Sequence, residues 1–174
     1  MKRQSRIAWL FIALAAVAYC ACLALPAVVY KEHEYKAPCL DGPPVRDAQG
    51  AWSCGHTRTE PVTTDSGLDM LASGWLGMLE LNFAWWANIL GFGAFVVAVA
   101  AGPQRVTSVL ALTGFAFGLQ SFQYDGRPGA GTWHTLPVDH LAIGFYVWEG
   151  FFLLLAASQW RAWLPQQPAD AESA

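Results

Sequence analysis

The sequence predicts an all-α membrane protein: a four-helix transmembrane bundle with a small disulfide-closed extracytoplasmic loop. Three observations predict it. Four apolar stretches run approximately over Ile7–Val29, Met70–Ala101, Val106–Tyr124 and Leu141–Trp160. Only 13% of the residues are charged while 55% are hydrophobic, against a charged share of about 25% in soluble domains. Two cysteines, Cys39 and Cys54, lie on the long polar segment between the first two stretches. A bilayer core of about 30 Å needs about 20 mainly apolar helical residues, and each stretch meets or nearly meets that length. With four spans set aside, no second domain can be fitted, so residues 1–174 form a single membrane domain. The net charge of −3 and the scarcity of Lys and Arg outside the spans leave no electrostatic footprint for nucleic acid.

The first stretch follows Lys2, Arg3 and Arg6, a basic flank that fits a targeting segment. Secretory h-regions run about 7–15 residues, and this stretch is longer, so a retained signal-anchor helix is expected. It ends at Pro26 or shortly after Tyr30. Segment 31–68 is polar and broken by Pro38, Pro43, Pro44 and Pro61. Within it, Pro44-Val45-Arg46 and Ala51-Trp52-Ser53 flank Asp47-Ala48-Gln49-Gly50, which reads as a β-hairpin. A Cys39–Cys54 bridge would close this loop, and closing about 15 residues contributes about 3 kcal/mol in the chain-entropy account.

Ser66-Gly67-Leu68-Asp69 opens the second helix, with Ser66 or Asp69 available as N-cap. A stripe of small residues follows along it at Ser73, Gly77, Ala84, Ala87, Gly91, Ala94, Ala98 and Ala101, interrupted by Glu80. Gly102-Pro103 breaks the chain, and the third helix carries its own stripe of Thr107, Ala111, Gly114, Gly118 and Ser121. In lipid, helices associate through small residues that let backbones approach, so the two stripes are expected to face each other. Residues 125–139 form an outer loop, Pro137 and Asp139 introduce the fourth helix, and residues 166–174 read as a disordered, solvated tail. Trp9, Trp160 and Trp163 fall at the inner boundary and Trp75 and Trp133 at the outer one, as an aromatic belt requires. Arg105 and Arg161 join the basic N-terminus on short segments, whereas Lys31, Lys36, Arg46, Arg58 and Arg127 are spread over long ones. The positive-inside rule then gives a multi-pass inner-membrane protein with both termini cytoplasmic. Cysteines on the outer loop agree, because disulfides persist outside the cytosol.

Glu80 and Glu149 are the residues able to carry chemistry. No Lys or Arg lies within any span, so Glu149 has no salt-bridge partner, and Asn88 reaches similar depth. Glu80 is placed to meet His140 or Gln120 near the outer surface. Intramembrane carboxylates point by default to ion or proton pathways, but two at different depths form no pathway, and an interhelical hydrogen bond accounts for each. Thiol oxidoreductases of the vitamin K epoxide reductase type need a Cys-x-x-Cys pair near a quinone. Here Cys20-Ala21-Cys22 is one residue too tight and carries no neighbouring cation to make a reactive thiolate. Trp52 falls between Cys39 and Cys54, unlike the claudin arrangement with Trp before both cysteines. His33, His56, His134 and His140 lack the ligand spacing of a zinc site.

Gly74-Trp75-Leu76-Gly77 followed by Ala84-Trp85-Trp86-Ala87-Asn88 resembles a Gly-Trp-x-Gly … Ala-Trp-x-Ala-Asn pattern of small, uncharacterised bacterial inner-membrane proteins. The likeness covers about 15 residues, with Ile89 where that group often carries Pro. It implies a bacterial inner-membrane location and says nothing of activity. Because a well-specified bundle carries no recognisable nucleotide loop, triad, metal cluster or haem-ligating pair, the expected function is non-catalytic, without metal or cofactor: binding another membrane or extracytoplasmic protein, as an accessory subunit or an immunity-type protein. A small channel or transporter using Glu80 and Glu149 is the alternative, and a quinone-linked thiol oxidoreductase a further one.

Overall fold

A computed structural model of the chain describes residues 2–36, 45–46, 52–53, 57–76, 81–101, 104–124, 126–128 and 135–163. Helix α1 (Lys2–Ala24) is followed by six strands: β1 (Pro26–Tyr30), β2 (His33–Lys36), β3 (Val45–Arg46), β4 (Trp52–Ser53), β5 (Thr57–Glu60) and β6 (Thr63–Ser66). Next come α2 (Gly67–Ser73), α3 (Trp86–Ala101) and α4 (Arg105–Gly118), which tightens into a 3₁₀ turn over Leu119–Gln123. Strands β7 (Gly126–Pro128) and β8 (Thr135–Leu141) then lead into α5 (Ile143–Ser158).

This architecture overturns the all-α four-helix transmembrane bundle. Helices combine with a four-stranded antiparallel sheet of order β6-β1-β8-β7, and among the described residues only α1 is long and apolar enough to cross a membrane. The reason lies at the ends of the apolar stretches. Pro26 stops α1 by disfavouring helical geometry at the residue before it. The β-branched and aromatic run Val28-Val29-Tyr30 then suits a pleated strand, so residues counted as helix are spent in β1. Leu141, expected to begin the fourth helix, instead ends β8 opposite Val28. The stretch 70–101, expected as one helix, divides into α2 and α3. Between them Leu81 has a φ of 60°, and the Asn82 side chain accepts from the Ala84 N–H at 3.0 Å. That local bond competes with helix continuation. At 16 residues each, α3 and α5 rise about 24 Å by helix geometry, short of a full bilayer core.

In the segment expected as a loop, the described residues include paired antiparallel strands that form a β-hairpin arm. Tyr30 faces Thr63 and His33 faces Glu60, so the register runs unbroken from β1/β6 into β2/β5. Val45 pairs with Ser53 and Arg46 with Trp52, where a hairpin was expected from the sequence. Among the described residues there is no disulfide; Cys39 and Cys54 lie outside them, as does the tail 166–174.

Strand β1 joins the layers. It pairs with β6 on one side and β8 on the other. The Ala142 N–H donates to the Ala27 carbonyl at 2.8 Å, and the Gly67 N–H to that of Leu25 at 3.1 Å. The start of α5 lies so close to the α1–β1 junction that a Cβ on Gly144 would stand 2.7 Å from the Pro26 carbonyl oxygen. Ser66 caps α2 in a reciprocal box with Asp69, whose carboxylate accepts from the Ser66 N–H at 2.9 Å. From this junction α1 and α5 pack side by side, α3 packs on α4, and α4 on α5. Ala15, Ala87, Ala94 and Ala111 surround Phe151, Phe152 and Leu155 in the core.

Under the sheet Tyr30 is fully buried, and its hydroxyl donates to Asp65 at 3.0 Å. Burial first, then neighbouring Tyr124 and Asp65, pushes the Tyr30 phenol above the usual tyrosine range. A raised folded-state pKa leaves stability intact below the unfolded value of about 10 and erodes it as pH climbs past that point. The protein should lose stability steeply above about pH 10. Tyr30→Phe should flatten that alkaline limb while costing about 1–3 kcal/mol at neutral pH. Unfolding curves measured from pH 7 to 11 check this, and parallel limbs in the two proteins would remove Tyr30 as the cause.

Candidate functional site

Below the sheet, α1, α2, α3 and α5 diverge around a chamber of about 500 Å³, within the usual range for small-molecule sites. Cys22, Val28, Met70, Trp85, Phe145 and Trp148 form much of its apolar wall. Its polar wall is held by an amide clasp at Asn88. The Asn88 Oδ1 accepts from Trp148 Nε1 at 3.0 Å and from the Tyr19 hydroxyl at 3.5 Å. Its Nδ2 donates to the Trp85 carbonyl at 3.3 Å, and Trp85 Nε1 donates to the Leu71 carbonyl at 2.9 Å. One amide therefore joins α1, α3 and α5, and the indole beside it ties in α2. Buried donors and acceptors satisfied in this way rigidify their surroundings.

Glu149, one residue beyond Trp148, is 6% exposed, and neither of its carboxyl oxygens has a hydrogen-bond partner among the described residues. It packs onto α4 at Gly118. A Cβ there would run into Glu149 Oε1 and stand 2.9 Å from Glu149 Cδ. The aromatic rings around it are interlocked, with Phe145–Trp148 and Trp148–Phe152 centroids 6.0 and 5.3 Å apart. An unpartnered buried carboxyl costs stability, so it persists only where the surrounding packing holds it.

The structure separates the other residues singled out in the sequence. Among the described residues the interhelical hydrogen bond expected for Glu149 is not made, and Asn88 bonds Trp148 and Tyr19 instead. Gln120 accepts from the Phe83 N–H at 3.0 Å and so holds the turn before α3. His140 is exposed and bonds Asp139 at 2.9 Å. Glu80 and Gly77 lie outside the described residues. Ala87, Gly91 and Ala94 are buried on α3, Gly114 and Gly118 on α4, while Ala84 is half-buried. What fills the groove between those stripes is Phe152, whose ring would lie 2.6 Å from a Cβ on either Gly91 or Gly114. Cys20 is exposed and Cys22 buried, both as free thiols. Positions two apart on a helix do not face each other, and Cys22 Sγ donates to the Tyr19 carbonyl at 3.0 Å.

Sequence reasoning missed Tyr19 and Trp148 as clasp members and Gln159 as the anchor of α4. The fully buried Gln159 accepts the Gln104 N–H through its Oε1 at 2.9 Å. The available signal was a lone hydrogen-bonding ring at mid-helix, Tyr19 among alanines and Trp148 beside a glutamate.

Two substitutions probe the Glu149–Gly118 contact. Glu149→Met should raise the melting temperature, because removing a buried carboxyl without partners relieves a cost of about 1–3 kcal/mol. Gly118→Ala should destabilise by about 1–3 kcal/mol through overpacking, and by much less in a Glu149→Ala background. Thermal unfolding of the unsubstituted protein, E149M, G118A, E149A and the G118A/E149A double variant under one condition checks both, and additive effects of G118A and E149A would show that the two side chains do not touch. Comparison with protein-family models, with curated proteins and with solved structures finds no match to the chain.

Proposed function

We propose that this is a non-catalytic protein seated in a bacterial inner membrane, acting by binding another membrane or extracytoplasmic protein. The observation that carries the reading is the outward face of the helices. Val17 on α1, Phe92 on α3, Leu112 on α4 and Ile143 on α5 are between 50% and 66% exposed. They belong to a broad apolar exterior that water would not tolerate without aggregation. Lipid acyl chains are its natural cover. Helix α1 has the length to span, and α5, packed along it, shares its depth. In this reading the chain is multi-pass, with the basic N-terminus and the C-terminus cytoplasmic and the sheet on the outer side.

The β2/β5 arm then stands beyond the sheet. Residues His33–Lys36 and Thr57–Glu60 carry polar and charged side chains with no apolar alternation. Such an arm adds little to a core and suits recognition. Cys20 and Cys22, on different faces of one helix, do not supply the paired thiols of an oxidoreductase. A second reading, a small channel or transporter, is favoured by the unpartnered carboxyl of Glu149 alone.

The test begins with alkaline carbonate extraction, in which the protein should stay with the membrane. Purification in mild detergent should recover one partner at fixed stoichiometry. Replacing residues 33–60 by a short glycine turn should lose that partner while the protein remains folded and membrane-bound. Release by carbonate defeats the seating in lipid; a partner retained by the armless variant, or none at all, defeats the binding reading. Proton or cation flux in proteoliposomes that Glu149→Gln abolishes would establish the transporter reading instead.

A further inference from the structure

We propose that the chamber beneath the sheet binds one uncharged amphiphile, a single hydrocarbon chain carrying a neutral, oxygen-bearing head. The inference rests on the seating in lipid proposed above, which supplies such molecules at the chamber's own depth. Three features of the walls select this class of ligand.

The first is polarity. The lining side chains of Asn88, Trp148 and Trp85 bond to one another, to the Tyr19 hydroxyl or to backbone, and the lining Asn82 Oδ1 accepts from the Ala84 N–H. Ser73 Oγ likewise donates to the Asp69 carbonyl at 2.7 Å. Groups engaged among themselves shape the wall without forming the divergent polar array that a sugar or nucleotide needs. What a ligand meets is mainly hydrocarbon and ring surface.

The second is charge. Among the described lining residues there is no Lys, Arg or His, and Asp65 is the sole acidic one. With Asp65 in the wall and no cation among the described lining residues, a carboxylate or phosphate head would be buried without an opposite charge. A hydroxyl or similar neutral head meets no such opposition, and its proton can be accepted by a carboxylate oxygen. Fatty acids and anionic phospholipids are thereby disfavoured against alcohols and glycerides of the same chain length.

The third is position. Ser73, the last residue of α2, and Leu76 just beyond it are exposed and line the chamber, so its mouth lies there, at the end of α2 away from the sheet. Half-buried Ala84 and Trp85, at the start of α3, continue the wall inward. A chain entering at this mouth reaches the space between Met70, Phe145 and Trp148.

The experiment uses the full chain, purified in a nonionic detergent. 1-Hexadecanol and palmitate at pH 9 share a chain length and differ in head charge. Hexadecanol should give a one-to-one adduct in native mass spectrometry and a saturable rise in melting temperature. Palmitate should bind roughly tenfold more weakly or worse. Ala84→Phe, which fills the chamber from its wall, should abolish the hexadecanol effect, whereas Leu112→Phe on the exterior should leave it unchanged. Absence of the adduct, palmitate binding as well as hexadecanol, or an undiminished effect in A84F would each overturn the proposal. The comparison of alcohol with acid on the unsubstituted protein stands even where A84F fails to fold. Carbonate extraction is read separately, so loss of the lipid seating and an empty chamber give distinct results.

Discussion

A five-residue strand, β1, carries the connections on which the rest of this structure depends. It continues directly from α1, lies between β6 and β8, and receives the backbone of α5 through the Ala142–Ala27 hydrogen bond. In an antiparallel sheet a central strand satisfies its backbone groups on both sides, which a helix end cannot do for itself. The three chain segments that would otherwise leave the helices as unpaired polar backbone are thereby tied together at one place. Tyr30 and Asp65 anchor the underside with a buried hydrogen bond, and Gly67 and Gly144 let α2 and α5 start against the α1–β1 junction.

From that junction the helices are held by shape rather than by hydrophobic mass alone. The buried faces of α3 and α4 consist of small residues, and α5 places Phe151 and Phe152 against them. Small residues opposite aromatic rings interlock closely, and close contact supplies dispersion energy between the helices. Among the polar side chains set into this packing, Asn88 and Glu149 differ most. The Asn88 clasp is satisfied and rigid. Among the described residues Glu149 is neither hydrogen-bonded nor exposed, and that asymmetry marks a position where packing is held at a cost to stability. Local rules broken in this manner concentrate at sites kept for function.

The arm and the chamber, on which the proposed binding of a protein and of a neutral amphiphile rest, each have a structural cause. The chamber follows from the break between α2 and α3, because a continuous helix over 70–101 would have run past the space that Trp85 and Asn88 now border. The arm follows from β1 and β6 continuing beyond the sheet in unbroken register. Both features belong to segments that apolar counting treated as helix or as loop.

The sequence by itself determined the local elements whose cause is local. The helix α1, the Ser66–Asp69 cap and the Val45–Arg46 with Trp52–Ser53 pairing can each be read from a few neighbouring residues. The 4-3 spacing of small residues on α3 and α4 likewise marks the face that is buried, because periodicity follows from the geometry of one helix. Hydropathy was less informative at the ends of those stretches. It counts apolar residues without asking whether Val28, Val29 and Leu141 meet in a sheet, and that pairing joins positions more than 100 residues apart. Only tertiary structure decided that β1 and β8 are strands, that Phe152 fills the groove between the stripes, and that Asn88 is satisfied while Glu149 is not. Strand pairing and side-chain satisfaction are properties of contacts between distant segments, and no window along the chain contains both partners.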